Sequence, residues 1–360
     1  MIKRAVAILS TENLVHNVSV IKRHARSAKI IGMVKANAYG HGIRSISLRI
    51  SSLVDILGVA SIEEAVTLRS DLGIVIPILL MQGFLDPDDL YIASKYDLDL
   101  VIHDQEQLRC FLSSSLKKKL NIWIKVNTGL SRLGFRIEEL NQVYENIKKS
   151  PNAASLVRII SHLACAENIE HDLNHKQISL FKNIVNSIDT EFSLCNSAGI
   201  FNFSDCCFDY VRPGLALYGV SPIPKTVAQD YDLKPVMTLS TILMSIQNLK
   251  KGECVGYSAE YVCSEDMLVG IASFGYGDGY PINCFGKAQV LLKGKICNVV
   301  GRVSMDMLAI DLRYCTGAKV GDEIVLWGAG LPVENLAFQT QNSPYNLLTG
   351  VQNRVKFIWR

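Results

Sequence analysis

Nine residues, Val34-Lys35-Ala36-Asn37-Ala38-Tyr39-Gly40-His41-Gly42, put one lysine at the end of an apolar run and one tyrosine four positions later, beside glycine. The run before it, Ile30-Ile31-Gly32-Met33-Val34, reads as a buried strand emptying into a loop. A lysine there is costly to bury as a cation and easily made neutral. That suits a Schiff-base nucleophile better than a structural charge.

Other polar residues fall at the ends of similar runs. Asn127-Thr128-Gly129-Leu130-Ser131-Arg132 follows one, Ser161-His162 ends another, Asn196-Ser197 a third, and Val211-Arg212-Pro213-Gly214-Leu215 closes the series. Together they make a lysine, two arginines, a histidine and a small hydroxyl. The set has no acidic pair, no metal-ligand cluster and no G-x-G-x-x-G, so it suits an anion and a carbonyl. Singly, each has an ordinary reading: His162 as a core histidine, Arg132 and Arg212 as surface residues with buried stems, Pro213-Gly214 as a turn. Their common place at strand ends sets them apart.

Eight apolar, β-branched runs carry these residues: 29–35, 56–61, 76–81, 98–103, 121–127, 157–163, 192–197 and 210–218. Helix-like stretches lie between most of them. In the stretch before the first run, Ser10 or Thr11 can cap a helix whose apolar face is Leu14, Val18, Ile21 and Ala25. Strand–helix alternation of this length predicts an α/β fold, a closed (β/α)8 barrel over 1–225, with catalytic groups at the C-terminal strand ends. The stretch 198–209 is short for a helix. Barrels of this kind often hold phosphate on the loops after strands seven and eight, here Asn196-Ser197 and Gly214-Leu215. A phosphate site combined with a Schiff-base lysine points to pyridoxal phosphate.

Ser221-Pro222-Ile223-Pro224-Lys225 reads as a linker. Beyond it, short strand-like segments such as Gln289 to Leu292 and Glu323 to Trp327 alternate with turn signals. This predicts a mainly β C-terminal domain over 226–360, with one helix opening at Pro332-Val333-Glu334.

Net charge is +3, too small to call for nucleic acid or a membrane surface. The run Lys117-Lys118-Lys119 reads as the basic end of a helix, and His171 and His175 as a solvated helix face rather than metal ligands. None of the 10 cysteines lies in a C-x-x-C pair, and the apolar stretch Ala5 to Leu9 is too short for a secretory signal. No apolar stretch approaches the ~18 residues of a membrane span. A cytoplasmic protein is expected.

At these residues the chain resembles alanine racemase, a fold-type III pyridoxal-phosphate enzyme. The motifs are VKANAYGHG (34–42), KVNTGLSRLGF (125–135), SHLACAE (161–167), CNSAG (195–199) and VRPGLALYG (211–219). In the second domain they are GECVGYS (252–258), GYGDGYP (275–281), GRVSMDM (301–307), GDEIVLWG (321–328) and YNLLTGV (345–351). The resemblance implies that Lys35 holds the cofactor covalently and serves as one base. Tyr257, from the second domain of a partner subunit, would be the other. Tyr39, Ser197, Gly214, Leu215 and Tyr345 would bind the phosphate, with Asn196 beside it. Arg212 would face the pyridine nitrogen, and His162 would support the network of Arg212 and Tyr257. Arg132, the Met305 N–H from the partner, and Tyr276 would lie near the substrate carboxylate. A homodimer with shared active sites, making D-alanine for peptidoglycan, is implied.

Arg212 bears on the reaction type. An arginine does not give up its proton near neutral pH, so it cannot protonate the pyridine nitrogen. The ring is then a weaker electron sink, which limits side reactions. A decarboxylase of the same fold type would pair that nitrogen with an acid. A single-barrel cofactor carrier would lack the second domain, and with it Tyr257 and Met305. A broad-specificity racemase is usually exported, against the cysteine usage here. Several positions depart from the common family pattern: Asn127 for aspartate, Leu130 for methionine, Ile282 for arginine, and Ser258 and Glu260 for glycine and threonine. Some members carbamylate a lysine at the Lys125 position, giving Arg132 an anionic partner, and Lys125 is present.

Overall fold

A computed structural model describes residues 4–360. Residues 1–3, at the head of the expected barrel domain and of the segment judged too short for a signal, lie outside the described residues. The chain divides into two compact units. One comprises Val15–Leu217 with Pro222–Pro224. The other comprises the N-terminal segment through Leu14, Tyr218–Ser221 and Lys225–Arg360.

The first unit is a closed barrel of eight strands: β2 (Lys29–Met33), β3 (Ile56–Val59), β4 (Ile78–Leu80), β5 (Asp99–Ile102), β6 (Leu120–Lys125), β7 (Ala153–Ile160), β8 (Phe192–Asn196) and β9 (Tyr210–Arg212). Every neighbouring pair is parallel, and β9 returns to β2 through Lys29↔Tyr210 and Ile30↔Val211. These strands read as near-continuous apolar runs because both faces are covered. The eight expected runs are these eight strands. Helices lie between most of them, and Leu14, Val18, Ile21 and Ala25 of the helix Thr11–Ala25 are all buried. Ser10 caps it, its Oγ accepting the Asn13 N–H at 3.1 Å. The short stretch after β8 holds a six-residue helix, Ser197–Asn202, and a 3-10 turn, Ser204–Cys206.

Two local expectations change. The helix before Lys117 ends at Ser113, because the Asn152 side-chain amide takes the carbonyls of Phe111 and Ser114 at 2.9 and 2.8 Å. The lysine run therefore lies in a loop. His171 caps the helix Asp172–Ser187 through Nδ1, which accepts the Leu173 N–H.

The second unit is built on an eight-stranded sheet. Its first strand, β1 (Ala5–Leu9), pairs antiparallel with β10 (Met237–Leu249) and parallel with β18 (Lys356–Trp359). The N-terminal strand, assigned by sequence to the barrel domain, thus belongs to the β-rich unit. Its hydrogen-bonding edges are satisfied there on both sides. Between β10 and β18 come two two-residue strands, β11 (Cys254–Val255) and β12 (Tyr261–Val262), then β13 (Met267–Ala272), β14 (Gln289–Leu292), β15 (Lys295–Val300), β16 (Leu308–Asp311) and β17 (Glu323–Trp327). The order is β13-β16-β15-β14-β17-β10-β1-β18. The thirteen-residue β10 pairs β17 with its first half and β13 with its second, so the order closes on itself. The expected helix spans Val333–Gln339, with Pro332 at its N-cap.

Among the described residues, no helix is long and apolar enough to cross a membrane.

Candidate active site

The C-terminal strand ends of the barrel gather the residues singled out by sequence. Arg212, the last residue of β9, is buried. Its guanidinium donates to Ser193 Oγ and the Ser161 carbonyl at 2.5 Å, to the Leu194 carbonyl at 3.0 Å and to His162 Nδ1 at 3.1 Å. Among the described residues it has no carboxylate partner. Burial draws its pKa down to about 10, which leaves it charged at neutral pH. An arginine cannot accept, so His162 Nδ1 must, and the proton of a neutral imidazole sits on Nε2. Burial, then the Arg212 charge, pushes the His162 pKa well below its ordinary value, so the ring is neutral.

Two lysines share this surrounding. Lys35 lies two residues past the end of β2, which stops at Met33 rather than at the lysine. Burial and then repulsion from Arg132 lower its pKa; Glu64 opposes them, and Arg212 adds to them. Lys125 ends β6 and is buried. Burial, with Arg212, Arg132 and Lys35 nearby, brings it down to about 8. Four cationic side chains therefore act on one another at the barrel mouth. Such a site attracts anions and disfavours the protonated form of its amines.

The chain after Lys35 takes a form the sequence did not announce. Ala36, Asn37, Ala38 and Tyr39 all have φ between 52° and 54°, making one left-handed helical turn. It is held by Ala38 N–H to Val34 O at 2.8 Å and Gly40 N–H to Ala36 O at 3.1 Å. Non-glycine residues resist this conformation by about 1–2 kcal/mol each, so the surroundings must over-determine it. The turn buries Tyr39 against Gly214: a Cβ on Gly214 would sit 2.3 Å from the Tyr39 hydroxyl.

Ser197 opens the short helix after β8, whose N-cap is Asn196, with Oδ1 accepting the Gly199 N–H. Ser197 Oγ accepts the N–H groups of Gly214 at 2.8 Å and Ala216 at 3.3 Å. Both lone pairs are thereby engaged, and its proton is directed to donate. Leu215 begins the 3-10 turn Leu215–Tyr218. The Gly214 N–H, expected at a phosphate, here serves Ser197. The donor set fits pyridoxal phosphate: a hydroxyl oriented to donate, a glycine cradle a methyl would fill, an amine of lowered pKa, and an arginine with no acid beside it.

In the β-rich unit, Tyr257, Tyr276, Met305 and Tyr345 are all exposed. The segment Gly301–Asp306 carries Met305 and links the loops of Tyr257 and Tyr276. Tyr276 N–H and Gly277 N–H donate to the carbonyls of Ser304 and Met305 at 3.1 and 2.9 Å. Gly256, beside Tyr257, packs on the Arg302 backbone. The helix Pro344–Thr349, which carries Tyr345, ends at Gly350, where a Cβ on Gly279 would meet the Gly350 carbonyl at 2.3 Å. Asp278, missed by the sequence reading, is fully buried and holds Arg4 and Arg354, and Arg354 also holds Asp306. An aspartate between glycines in GYGDGYP reads locally as turn chemistry, so only the fold reveals this clamp. Ser193 and Ser161, which fix Arg212, left a fainter signal as polar residues within or just after apolar runs.

The chain matches two family models: "Alanine racemase, N-terminal domain" over residues 9–222 and "Alanine racemase, C-terminal domain" over residues 236–359. It is 43% identical to the alanine racemase of Aeromonas hydrophila, covering 98% of each protein. The biosynthetic alanine racemase of Pseudomonas aeruginosa matches with TM-score 0.96 and 36% identity over 99% of both chains. The alanine racemase of Bartonella henselae, described with covalently bound pyridoxal phosphate, matches with TM-score 0.88 and 28% identity over 99% of both.

Proposed function

The chain belongs to the alanine racemase family and interconverts L-alanine and D-alanine, and from that premise we propose how its residues do so. Lys35 and Tyr257 are the two opposed bases, pyridoxal 5'-phosphate is held at the barrel mouth, and Tyr257 arrives from a second subunit. The observation that carries this reading is the cationic cluster around Lys35, opposed there by Glu64, with Arg212 fixed by neutral acceptors alone.

Bound there by Lys35, Tyr39, Ser197, Gly214, Leu215 and Tyr345, with Asn196 alongside, pyridoxal phosphate supplies the electron sink that acidifies the α-hydrogen of alanine. Arg212 keeps its own proton and so limits that sink. His162, neutral and bonded to Arg212, holds the guanidinium in place. Arg132 and the Met305 N–H orient the substrate carboxylate, with Tyr276 near it. The lowered pKa of Lys35 favours the neutral amine that can take a proton at Nζ. Inversion then needs a second group on the opposite face, which is the place of the Tyr257 hydroxyl. Two bases on opposite faces invert the centre without turning the substrate over.

The same reading makes the enzyme a homodimer with shared sites, working in the cytoplasm to supply D-alanine for peptidoglycan. Its test is incubation of the purified enzyme with L-alanine in deuterium oxide. Deuterium at Cα together with loss of optical activity is expected. Release of carbon dioxide, or inert cofactor binding, would refute it.

A further inference from the structure

We propose that Glu260 and Arg302 are positioning residues that brace the loop presenting Tyr257. The inference rests on Tyr257 being a base. It assigns no chemistry to Glu260 itself.

Tyr257 stands on the hairpin between β11 and β12, whose register is Cys254↔Val262 and Val255↔Tyr261. The root of the hairpin is anchored: Val255 and Cys263 belong to a buried cluster with Met267, Val269 and Val300. Gly301 approaches so closely that a Cβ there would lie 2.6 Å from the Val255 carbonyl. The tip, residues 257–260, is exposed and lies beyond that anchorage. Tyr257 is 68% exposed, so its ring is not fixed by packing in its own chain. Within its own chain, its direction is therefore set by the backbone that carries it.

That backbone is strained. Gly256 has φ 78°, Ser258 φ 60° and Ala259 φ 49°. Glycine takes this region freely, but serine and alanine do not, and they stay there only when neighbouring contacts hold them. Glu260 is the last residue of the tip. Its carboxylate receives both Arg302 Nε and Arg302 Nη2, a two-pronged contact whose flat geometry fixes direction as well as distance. Arg302 in turn is tied to the root, since Gly256 packs on its backbone and Gly301 precedes it. The pair thus joins the exposed end of the loop to the anchored end. Without it, Ser258 and Ala259 are free to relax, and the Tyr257 hydroxyl loses its fixed aim.

L- and D-alanine are mirror images of equal free energy, so net rates in the two directions are bound together. Face-selective effects must be read from exchange with retention. In that process one base removes the α-hydrogen, trades it with solvent and returns deuterium to the same face. Each enantiomer then reports one base.

The experiment uses the holoenzyme in deuterium oxide and compares wild type, Tyr257→Phe, Glu260→Gln and the exchanged pair Glu260→Arg with Arg302→Glu. It records retention exchange from each enantiomer and backbone amide exchange across residues 254–262. Glu260→Gln should slow exchange from one enantiomer about fivefold, the upper range for an exposed ion pair, and leave the other near wild type. The slowed enantiomer should be the one that Tyr257→Phe affects. Amide exchange at the loop tip should quicken, and the exchanged pair should recover both readouts. Equal slowing from both enantiomers, an unchanged loop, or no recovery in the exchanged pair overturns the proposal. If Tyr257→Phe is face-selective and Glu260→Gln is not, the brace alone fails. If Tyr257→Phe is not face-selective, the assignment of Tyr257 as a base fails and the brace falls with it.

Discussion

Gly214→Ala isolates one contact at the proposed cofactor site. Gly214 is not among the glycines of positive φ, so alanine fits its backbone. Only space opposes it. The new methyl would lie 2.3 Å from the Tyr39 hydroxyl, 2.8 Å from Cζ and 3.3 Å from Cε1. The hydroxyl oxygen is fixed to the ring and the ring edge is also in reach, so the whole side chain must move. Tyr39 is buried and its backbone is fixed in the left-handed turn that follows Lys35. Overpacking of this kind costs about 2 kcal/mol, equivalent to roughly thirtyfold weaker cofactor binding if the displaced hydroxyl is a phosphate ligand. Titrating the cofactor-free protein with pyridoxal phosphate, followed by visible absorbance, measures the loss. In the Tyr39→Phe background the closest clash is gone, and the penalty of Gly214→Ala should shrink. Wild-type affinity in Gly214→Ala, or a penalty unchanged by Tyr39→Phe, would refute the steric reasoning.

Lys35→Ala should remove the borohydride-reducible cofactor adduct, and peptide mapping that finds the adduct at Lys125 or another lysine would contradict the assignment. Lys125 should give the cofactor-free protein a pH-dependent stability. Below about pH 8 it is protonated folded and unfolded, and burying its charge opposes folding in full. Between about 8 and its ordinary 10.5 the unfolded chain holds the proton that the folded chain has lost, so stability rises with pH, by about 3 kcal/mol at the limit. Urea midpoints in bicarbonate-free buffer should show that rise in wild type and not in Lys125→Met; an equal rise in both counts against it. Asp278→Asn leaves Arg4 and Arg354 without their shared carboxylate and should cost about 2–3 kcal/mol of stability. A change under about 0.5 kcal/mol, the range of ordinary surface substitutions, would mean that water replaces the clamp.

Sequence alone determined the eight barrel strands, because period and apolar content are local properties that a strand buried on both faces must carry. It also marked Lys35, Arg132, His162, Asn196, Ser197 and Arg212 as strand-end residues, since the end of an apolar run is visible without knowing its neighbours. Three-dimensional pairing decided the rest. β1 lies in the second sheet because its partners, β10 and β18, come more than two hundred residues later. The left-handed turn after Lys35 uses residues that ordinarily avoid it, so no propensity could reveal it. The acid-free cradle of Arg212 draws on Ser161 and His162, just after β7, and on Ser193 and Leu194 within β8. Local chemistry chose the residue types. Burial and long-range contacts set their charge, partners and direction, because both depend on what the folded chain brings alongside.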